Sequence, residues 1–476
     1  MKRYPAWVIS GLILFTAGTG VHADDLEMFG ASSRASAMGS AMTAIADGSE
    51  AIFYNPSALA LSRNTVSLEW TLRWSHLDVN GRNYGPGDTG LNYMPNLIGI
   101  NGRFLRERIG AGIMVNGGGL GGLTGGSGGG GGEGLGLLTS GYGWPMYGSP
   151  TVPLYYGLGF RLHDKLGIGF IQSTNIWLTK FSDLTLNLDD VLELFLGLST
   201  GIPVPNINPH WYVAIAMEPG DVGWSVTFRP VKYLSLGYVR KPGSWVRYKI
   251  PVIITSESLL DDDIRLYVLG DFWNTPDKEQ WGAAVHLPLP KSKLTLSYTQ
   301  DQQFWHRMHE ETLKQYLRWT QPDVASLIQL IGGGPTADWK NVSLDRYGME
   351  YVLEAGWLPT KFLKERNPKI ALRGGYFHWD SPLSDQKMGD DFDSDADVYS
   401  GGLGFNLDRK GRKHLKDPST RRQFSVDVHF QYFDIEDRDY KLEYNEWGNV
   451  RGSSSVYYYH TEGEILNTGI QLTWWY

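Results

Sequence analysis

The chain has no cysteine among its 476 residues. That excludes disulfides, thiolate metal sites, cysteine nucleophiles and a lipid-modified N-terminal cysteine. It also lacks a dominant charge: 43 Lys+Arg against 51 Asp+Glu leave a net charge of −8, with no global pull toward nucleic acid. Nowhere is it apolar and uninterrupted for eighteen residues, so no helical membrane span is expected. Its glycine-rich tract is not followed by Gly-Lys-Ser/Thr, and no His-Glu-x-x-His occurs, which removes the usual signatures of nucleotide and zinc sites. Serines and histidines are present, but nothing positions a triad. The expectation is therefore no covalent chemistry, no cofactor and no metal.

What the chain does have is 59 Gly, 18 Trp and 26 Tyr. Tight turns and large aromatic rings suit β-structure at a polar/apolar boundary better than a helical enzyme. Lys2 and Arg3 precede an apolar run from Ala6 to Ala17, and Val21-His22-Ala23 offers small residues at the −3 and −1 positions of a cleavage site. Residues 1–23 thus read as a secretory signal peptide.

Alternation then points to strands. Near the chain end Leu466, Ile470, Leu472, Trp474 and Tyr476 share one face, and Asn467, Gly469, Gln471 and Thr473 the other. A period of two places one side of a strand in an apolar medium and the other in a polar one. Val66, Leu68, Trp70, Leu72 and Trp74 repeat the pattern, as do Phe424, Val426, Val428, Phe430 and Tyr432. Polar or charged inner faces and apolar, aromatic-tipped outer faces are what a transmembrane barrel requires. The closing aromatic residue resembles the C-terminal signal by which outer-membrane barrels are recognised for assembly. About fourteen such segments can be marked, among them continuous ones at 232–254 and 264–288. Short connections alternate with long ones at 118–150, 183–220, 306–342, 381–395 and 436–454, the asymmetry of periplasmic turns and external loops.

Before the first strand, Phe29-Gly30-Ala31-Ser32-Ser33-Arg34-Ala35-Ser36-Ala37-Met38-Gly39 leads through Thr43-Ala44-Ile45-Ala46-Asp47 to Phe53-Tyr54-Asn55-Pro56-Ser57-Ala58. This resembles the N-terminal hatch of the FadL/TodX family of outer-membrane transporters for long-chain fatty acids and aromatic hydrocarbons. Ser57 stands where the family's Asn-Pro-Ala motif has alanine, a small-for-small change. Gly223-Trp224-Ser225-Val226 with Leu234-Ser235-Leu236-Gly237-Tyr238, and Ala371-Leu372-Arg373-Gly374-Gly375-Tyr376, are similar to family strands.

The resemblance implies an all-β fold: an antiparallel transmembrane β-barrel of about fourteen strands at 65–476, with a hatch at 24–64 and partly helical external loops. It implies capture of hydrophobic small molecules or fatty acids at the loops, an interior pocket, and lateral release at a kink in the third strand. Expected partners are outer-membrane lipid and lipopolysaccharide, and the barrel assembly machinery through the last strand. A monomer is expected, and no nucleic acid. A barrel scaffold for protein secretion or surface display is the alternative.

Candidate parts follow. Leu192, Phe195 and Leu196 in one long loop, and Leu313, Tyr316 and Leu317 in another, have helical spacing and are candidate walls of a capture groove or lids over the mouth. Phe53, Asn55 and Pro56 are the hatch candidates. Gly110, Gly112, Gly117, Gly118 and Gly119 are candidates for a lateral gate, since glycine weakens ladder pairing. Arg73 and Arg373 are inward by alternation. Either one clamps a carboxylate or, more simply, pairs with other lumen charges and the hatch. Asp391, Asp393, Asp395 and Asp397 with Asp390 resemble part of a calcium loop without its glycine and glutamate, and a solvated outer loop is the simpler reading.

Overall fold

The computed structural model describes residues 28–79, 82–84, 97–105, 107–116, 151–177, 179–187, 206–212, 222–255, 264–306, 340–355, 368–382, 394–408, 422–445 and 454–475. Among them fourteen strands form one antiparallel sheet that closes on itself, and a short fifteenth, Arg82–Tyr84, pairs with the end of the first, at Leu77 to Val79. In chain order they are β1 (Thr65–Val79), β2 (Leu97–Phe104), β3 (Ile109–Asn116), β4 (Thr151–His163), β5 (Leu166–Trp177), β6 (Gly223–Val231) and β7 (Leu234–Lys241). Next come β8 (Asp277–Leu289), β9 (Ser292–Phe304), β10 (Val342–Glu354), β11 (Lys369–Trp379), β12 (Ala396–Asp408), β13 (Arg422–Asn445) and β14 (Ser454–Trp475). Closure is made by β1 against β14, in register from Thr65↔Trp475 to Val79↔Thr461. Full closure leaves no open edge, the condition for a sheet to stand in hydrocarbon.

The alternation read from sequence is the alternation of the wall. On β13 Ser425, Asp427, His429 and Gln431 are buried inward, while Val428 and Phe430 are exposed outward. Ile100, Ile113, Leu158, Trp281, Leu372 and Leu403 extend the exposed apolar surface around the barrel. Exposed apolar residues on this scale mark a face meant for lipid, since a soluble protein does not leave such a belt in water.

Two expected segments are corrected. Residues 232–254 and 264–288 do not run as single strands. Each breaks at a proline, Pro242 and Pro276, because proline has no N–H for the ladder. Beyond the break, Ser244–Thr255 and Ile264–Thr275 leave the barrel as an antiparallel pair. They join Thr179–Asn187 and Asn206–Tyr212 in a separate four-stranded sheet, with Ser244–Thr255 parallel to Thr179–Asn187. Part of the stretch 183–220, expected as an external loop, is therefore strand. The stretch 436–454 is shortened likewise, because β13 continues to Asn445 after a register shift between Ile435 and Arg438.

Residues 28–64 lie inside the barrel and are almost entirely buried. They form two short helices, α1 (Ser33–Ala37) and α2 (Ala51–Tyr54), and the 3-10 turns Gly48–Glu50 and Pro56–Ala60. These elements are too short to be stable alone; the wall holds them.

Candidate functional site

The inner segment is a plug built from small residues and side-chain caps. Ser32 caps α1 by accepting from the Ala35 N–H. Tyr54 ties α2 to the segments flanking α1: its hydroxyl accepts from the Ala31 N–H at 2.9 Å and donates to Ser40 Oγ at 3.2 Å. Asn55 Nδ2 donates to the Thr43 carbonyl at 2.7 Å, locking one half of the plug to the other. Pro56 opens the following 3-10 turn, where its missing N–H costs nothing. Ser57 does more than replace an alanine. Its N–H donates to Ser225 Oγ at 2.9 Å, and its hydroxyl lies 2.6 Å from Thr227 Oγ1, both on β6.

Wall glycines receive the plug. Gly110 stands opposite Gly159, and Gly159 opposite Gly169, across β3, β4 and β5. Gly237 pairs with Gly282, and Gly348 with Gly375. A Cβ on Gly282 would sit 2.7 Å from Thr43 Cβ, and one on Gly348 2.7 Å from the Met38 carbonyl oxygen. Gly112 faces Ile52, with 2.6 Å to Cδ1 for an added Cβ, and Gly110 faces the Leu59 carbonyl. The two described gate candidates are thus docking points for the plug, in a strand whose pairing to β2 and β4 runs without a register break. Gly117, Gly118 and Gly119 lie outside the described residues.

On one side the plug is held by charge. Arg34 contacts Asp47 at 2.8 Å, Glu50 at 2.9 Å and Glu350 of β10 at 3.0 Å. Arg373 of β11 contacts Glu350 at 2.8 Å and Asp427 of β13 at 2.7 Å. Burial works against the Arg34 charge, but Glu350, Asp47 and Glu50 outweigh it and hold the guanidinium well above its ordinary value. Burial pushes the Glu50 carboxyl up, against the pull of Arg34. A small polar cavity borders Arg34, Asp47, Glu50, Arg373 and Asp427. Arg373 therefore already has two carboxylate partners. Arg73 lies on β1, and its side chain is outside the described residues. Ser33 adds a polar seam, donating from Oγ to Glu69 at 2.8 Å and from its N–H to Gln471 at 3.1 Å.

Elsewhere the inner face of the wall is apolar. Leu97, Met114, Tyr155 and Ile171, on β2 to β5, form one apolar arc continuous with Ile52, Phe53 and Leu59 of the plug. Leu344, Phe377, Trp379, Val398, Phe433 and Ile465, on β10 to β14, form a second arc, closed by Met28 and Phe29. Phe29 meets Phe433 with ring centroids 4.9 Å apart. Phe53 packs edge-on against Tyr155 at 5.2 Å.

A polar sector on β7 to β10 separates the arcs. It holds Lys241 and its cross-strand neighbour Lys278, then Gln280, Asp301, Gln303 and Arg346, all buried. Arg346 lies over the Phe377 ring at 4.3 Å and 3.5 Å from Asp301. Lys241 and Lys278 escape the sequence reading because each sits inside a segment taken as one long strand. Continuing the inward phase from Gly237 through Val239 to Lys241 would have found the first.

Leu192, Phe195, Leu196, Leu313, Tyr316 and Leu317 lie outside the described residues, as do Asp390, Asp391 and Asp393. Asp397 accepts from His378 Nδ1 at 3.0 Å and from the Tyr376 hydroxyl at 2.8 Å, and Asp395 from the Ser381 N–H at 2.6 Å.

No family model matches the chain, and no curated protein matches it. Solved structures with a similar course include a Pseudomonas aeruginosa FadL homologue, with a TM-score of 0.47 at 12% identity over 96% of this chain and 97% of that one. The P. putida toluene transporter TodX gives 0.42 at 10% identity over 94% and 99%. The Ralstonia pickettii toluene transporter TbuX gives 0.42 at 10% identity over 95% and 100%. Likeness at this distance carries no argument of its own.

Proposed function

We propose that the protein is a bacterial outer-membrane channel for passive uptake of hydrophobic compounds, such as fatty acids or hydrocarbons, working without covalent chemistry. The observation that carries this reading is the apolar inner face of the wall, on which the plug packs. A water-filled porin has a polar lumen. Here two apolar clusters stand on the inner face of the wall, and an alkyl chain gains about 0.8 kcal/mol for each CH₂ it buries against such a surface.

Release is proposed at β2 and β3. Leu97 and Met114, which line the first arc, lie at the external ends of these strands. The apolar lining therefore reaches the external side of the described part of both strands. Capture at the external segments around Leu192 and Leu313 belongs to the same proposal, and so does a wall that opens at the glycines of β3.

The test is uptake of labelled oleate, hexadecane and toluene by a deletion strain with and without the restored gene. Restored uptake of at least one compound is expected. If none depends on the protein while a surface protein disappears with it, the barrel is a secretion scaffold and the proposal fails.

A further inference from the structure

His378 and Asp380 flank Trp379, the last residue of β11, and Asp395 and Asp397 flank Ala396, the first of β12. The register pairs Trp379 with Ala396 and His378 with Asp397, and Asp380 and Asp395 come opposite each other one pair further on. Side chains alternate along a strand, so the four occupy the corners of a square on one face. It is the outer face: Trp379 and Ala396 are buried inward, and the exposed Tyr376 and Tyr399 are the preceding outward pair.

Three carboxylates and one imidazole meet there. His378 Nε2 lies 3.5 Å from Asp380 Oδ1, with both side chains partly open to solvent. One ligand atom from each of His378, Asp380 and Asp395 lies within 4.8 Å of the other two. On the other side of the ring, Nδ1 lies 3.0 Å from Asp397 Oδ1. That bond puts the proton on Nδ1 and leaves the Nε2 lone pair facing Asp380 and Asp395, the arrangement in which a carboxylate orients a metal-binding histidine. Asp397 is held in turn by the Tyr376 hydroxyl, and Asp395 by the Ser381 N–H. Glu436 of β13 adds a fourth carboxylate beside His378 and Asp397. Against these stand Arg438, whose Nη1 donates to Ser381 Oγ at 2.8 Å, and Lys340, joined to Pro382 through its backbone N–H. The balance is negative, and like charges directly opposite across two strands destabilise a sheet. A cation between Asp380 and Asp395 removes that cost.

We propose that His378, Asp380 and Asp395 bind one divalent cation of the zinc class, with Asp397 positioning the imidazole, so that the ion fastens the external end of β11 to that of β12. Calcium and magnesium take oxygen ligands, whereas zinc takes imidazole and carboxylate together. Around a tetrahedral zinc with bonds of about 2.0–2.1 Å, ligand atoms stand roughly 3.4 Å apart, close to the separation of Nε2 and Oδ1. In sequence Asp395 and Asp397 resemble part of a calcium loop; the fold gives them a histidine from another strand. The site does not depend on the uptake reading. A looser version stands on β13 and β14: His460 Nδ1 lies 2.9 Å from Asp439, but Nε2 is 4.0 Å from Glu462, and Asp439 is 89% exposed. It serves as the control.

The experiment is titration of the full-length protein, purified without a histidine tag and stripped with chelator, with zinc and with calcium. One zinc ion should bind at micromolar concentration, and calcium only at millimolar. Asp397→Asn should weaken zinc by about 10–100-fold, the usual effect of losing the group that orients a metal-bound histidine. His378→Ala should weaken it at least as much, and His460→Ala should leave it unchanged. Zinc should also slow hydrogen exchange at residues 376–380 and 395–399 in the parent and not in His378→Ala. All three substitutions fall on side chains open to solvent, and heat-modifiable migration in electrophoresis confirms that each barrel has formed. No tight zinc binding in the parent, equal affinity for calcium, or zinc binding that His378→Ala leaves unmoved overturns the inference. So does zinc binding lost in His460→Ala alone.

Discussion

The Lys241 ammonium stands 3.6 Å from the centroid of the Phe53 ring, where the first apolar arc of the lumen gives way to its polar sector. One plug residue thus touches both, packing edge-on against Tyr155 as well. A desolvated cation–π contact contributes about 2 kcal/mol or more, and truncating a buried phenylalanine to alanine costs about 3–5 kcal/mol. Phe53→Ala should therefore loosen the plug and Phe53→Leu should do so less. Hydrogen exchange at residues 28–64 reads this directly: faster exchange there with an unchanged barrel is expected, and unchanged protection would show that Phe53 does not seat the plug.

Gly374 and Gly375 are neighbours with opposite surroundings. A Cβ on Gly375 would collide with Met38 and Gly39 of the plug, whereas one on Gly374 comes no nearer than 3.9 Å to anything. Gly375→Val should assemble as a barrel yet displace the plug, raising ion conductance in a planar bilayer and sensitivity of cells to large hydrophilic antibiotics. Gly374→Val should behave as the parent. Equal behaviour of the two would mean that the glycines are not plug seats.

Arg34 holds two plug carboxylates and one wall carboxylate. Removing one member of a buried ion pair costs about 3–5 kcal/mol, because the partners stay buried and uncompensated. Arg34→Met and Arg373→Met should each weaken plug protection in hydrogen exchange. Both should alter uptake of carboxylates and of neutral hydrocarbons to the same degree, since Glu350 and Asp427 already occupy Arg373. Selective loss of carboxylate uptake in Arg373→Met would instead give that residue a direct contact with cargo.

The wall was legible in the sequence because a strand between lipid and lumen must alternate, and β1, β13 and β14 do so over many residues. The plug was legible as a motif, but its fastening was not. A glycine that receives a plug reads the same as one in a turn or a gate, and only the fold puts Gly110 against Leu59 or Gly237 against Thr43. The departure of Ser244–Thr255 and Ile264–Thr275 from the barrel was marked by Pro242 and Pro276, yet the apolar alternation running past both prolines masked it. Ser57 looked like an interchangeable small residue, although its hydroxyl meets β6. The two arcs of the lumen draw on residues hundreds of positions apart, which no local pattern joins.

Ile113 and Met114 are consecutive in β3, one 54% exposed on the outer face and the other fully buried in the lumen. An alkyl diazirine added to cells from outside, photolysed during uptake and mapped by peptide mass spectrometry, separates the two faces residue by residue. Labelling of Met114 and Ile171 on the inner face, competed by unlabelled cargo, is the result that passage through the apolar lumen predicts. Labelling confined to outward residues such as Ile113 and Phe170, with the inner face untouched, would contradict it.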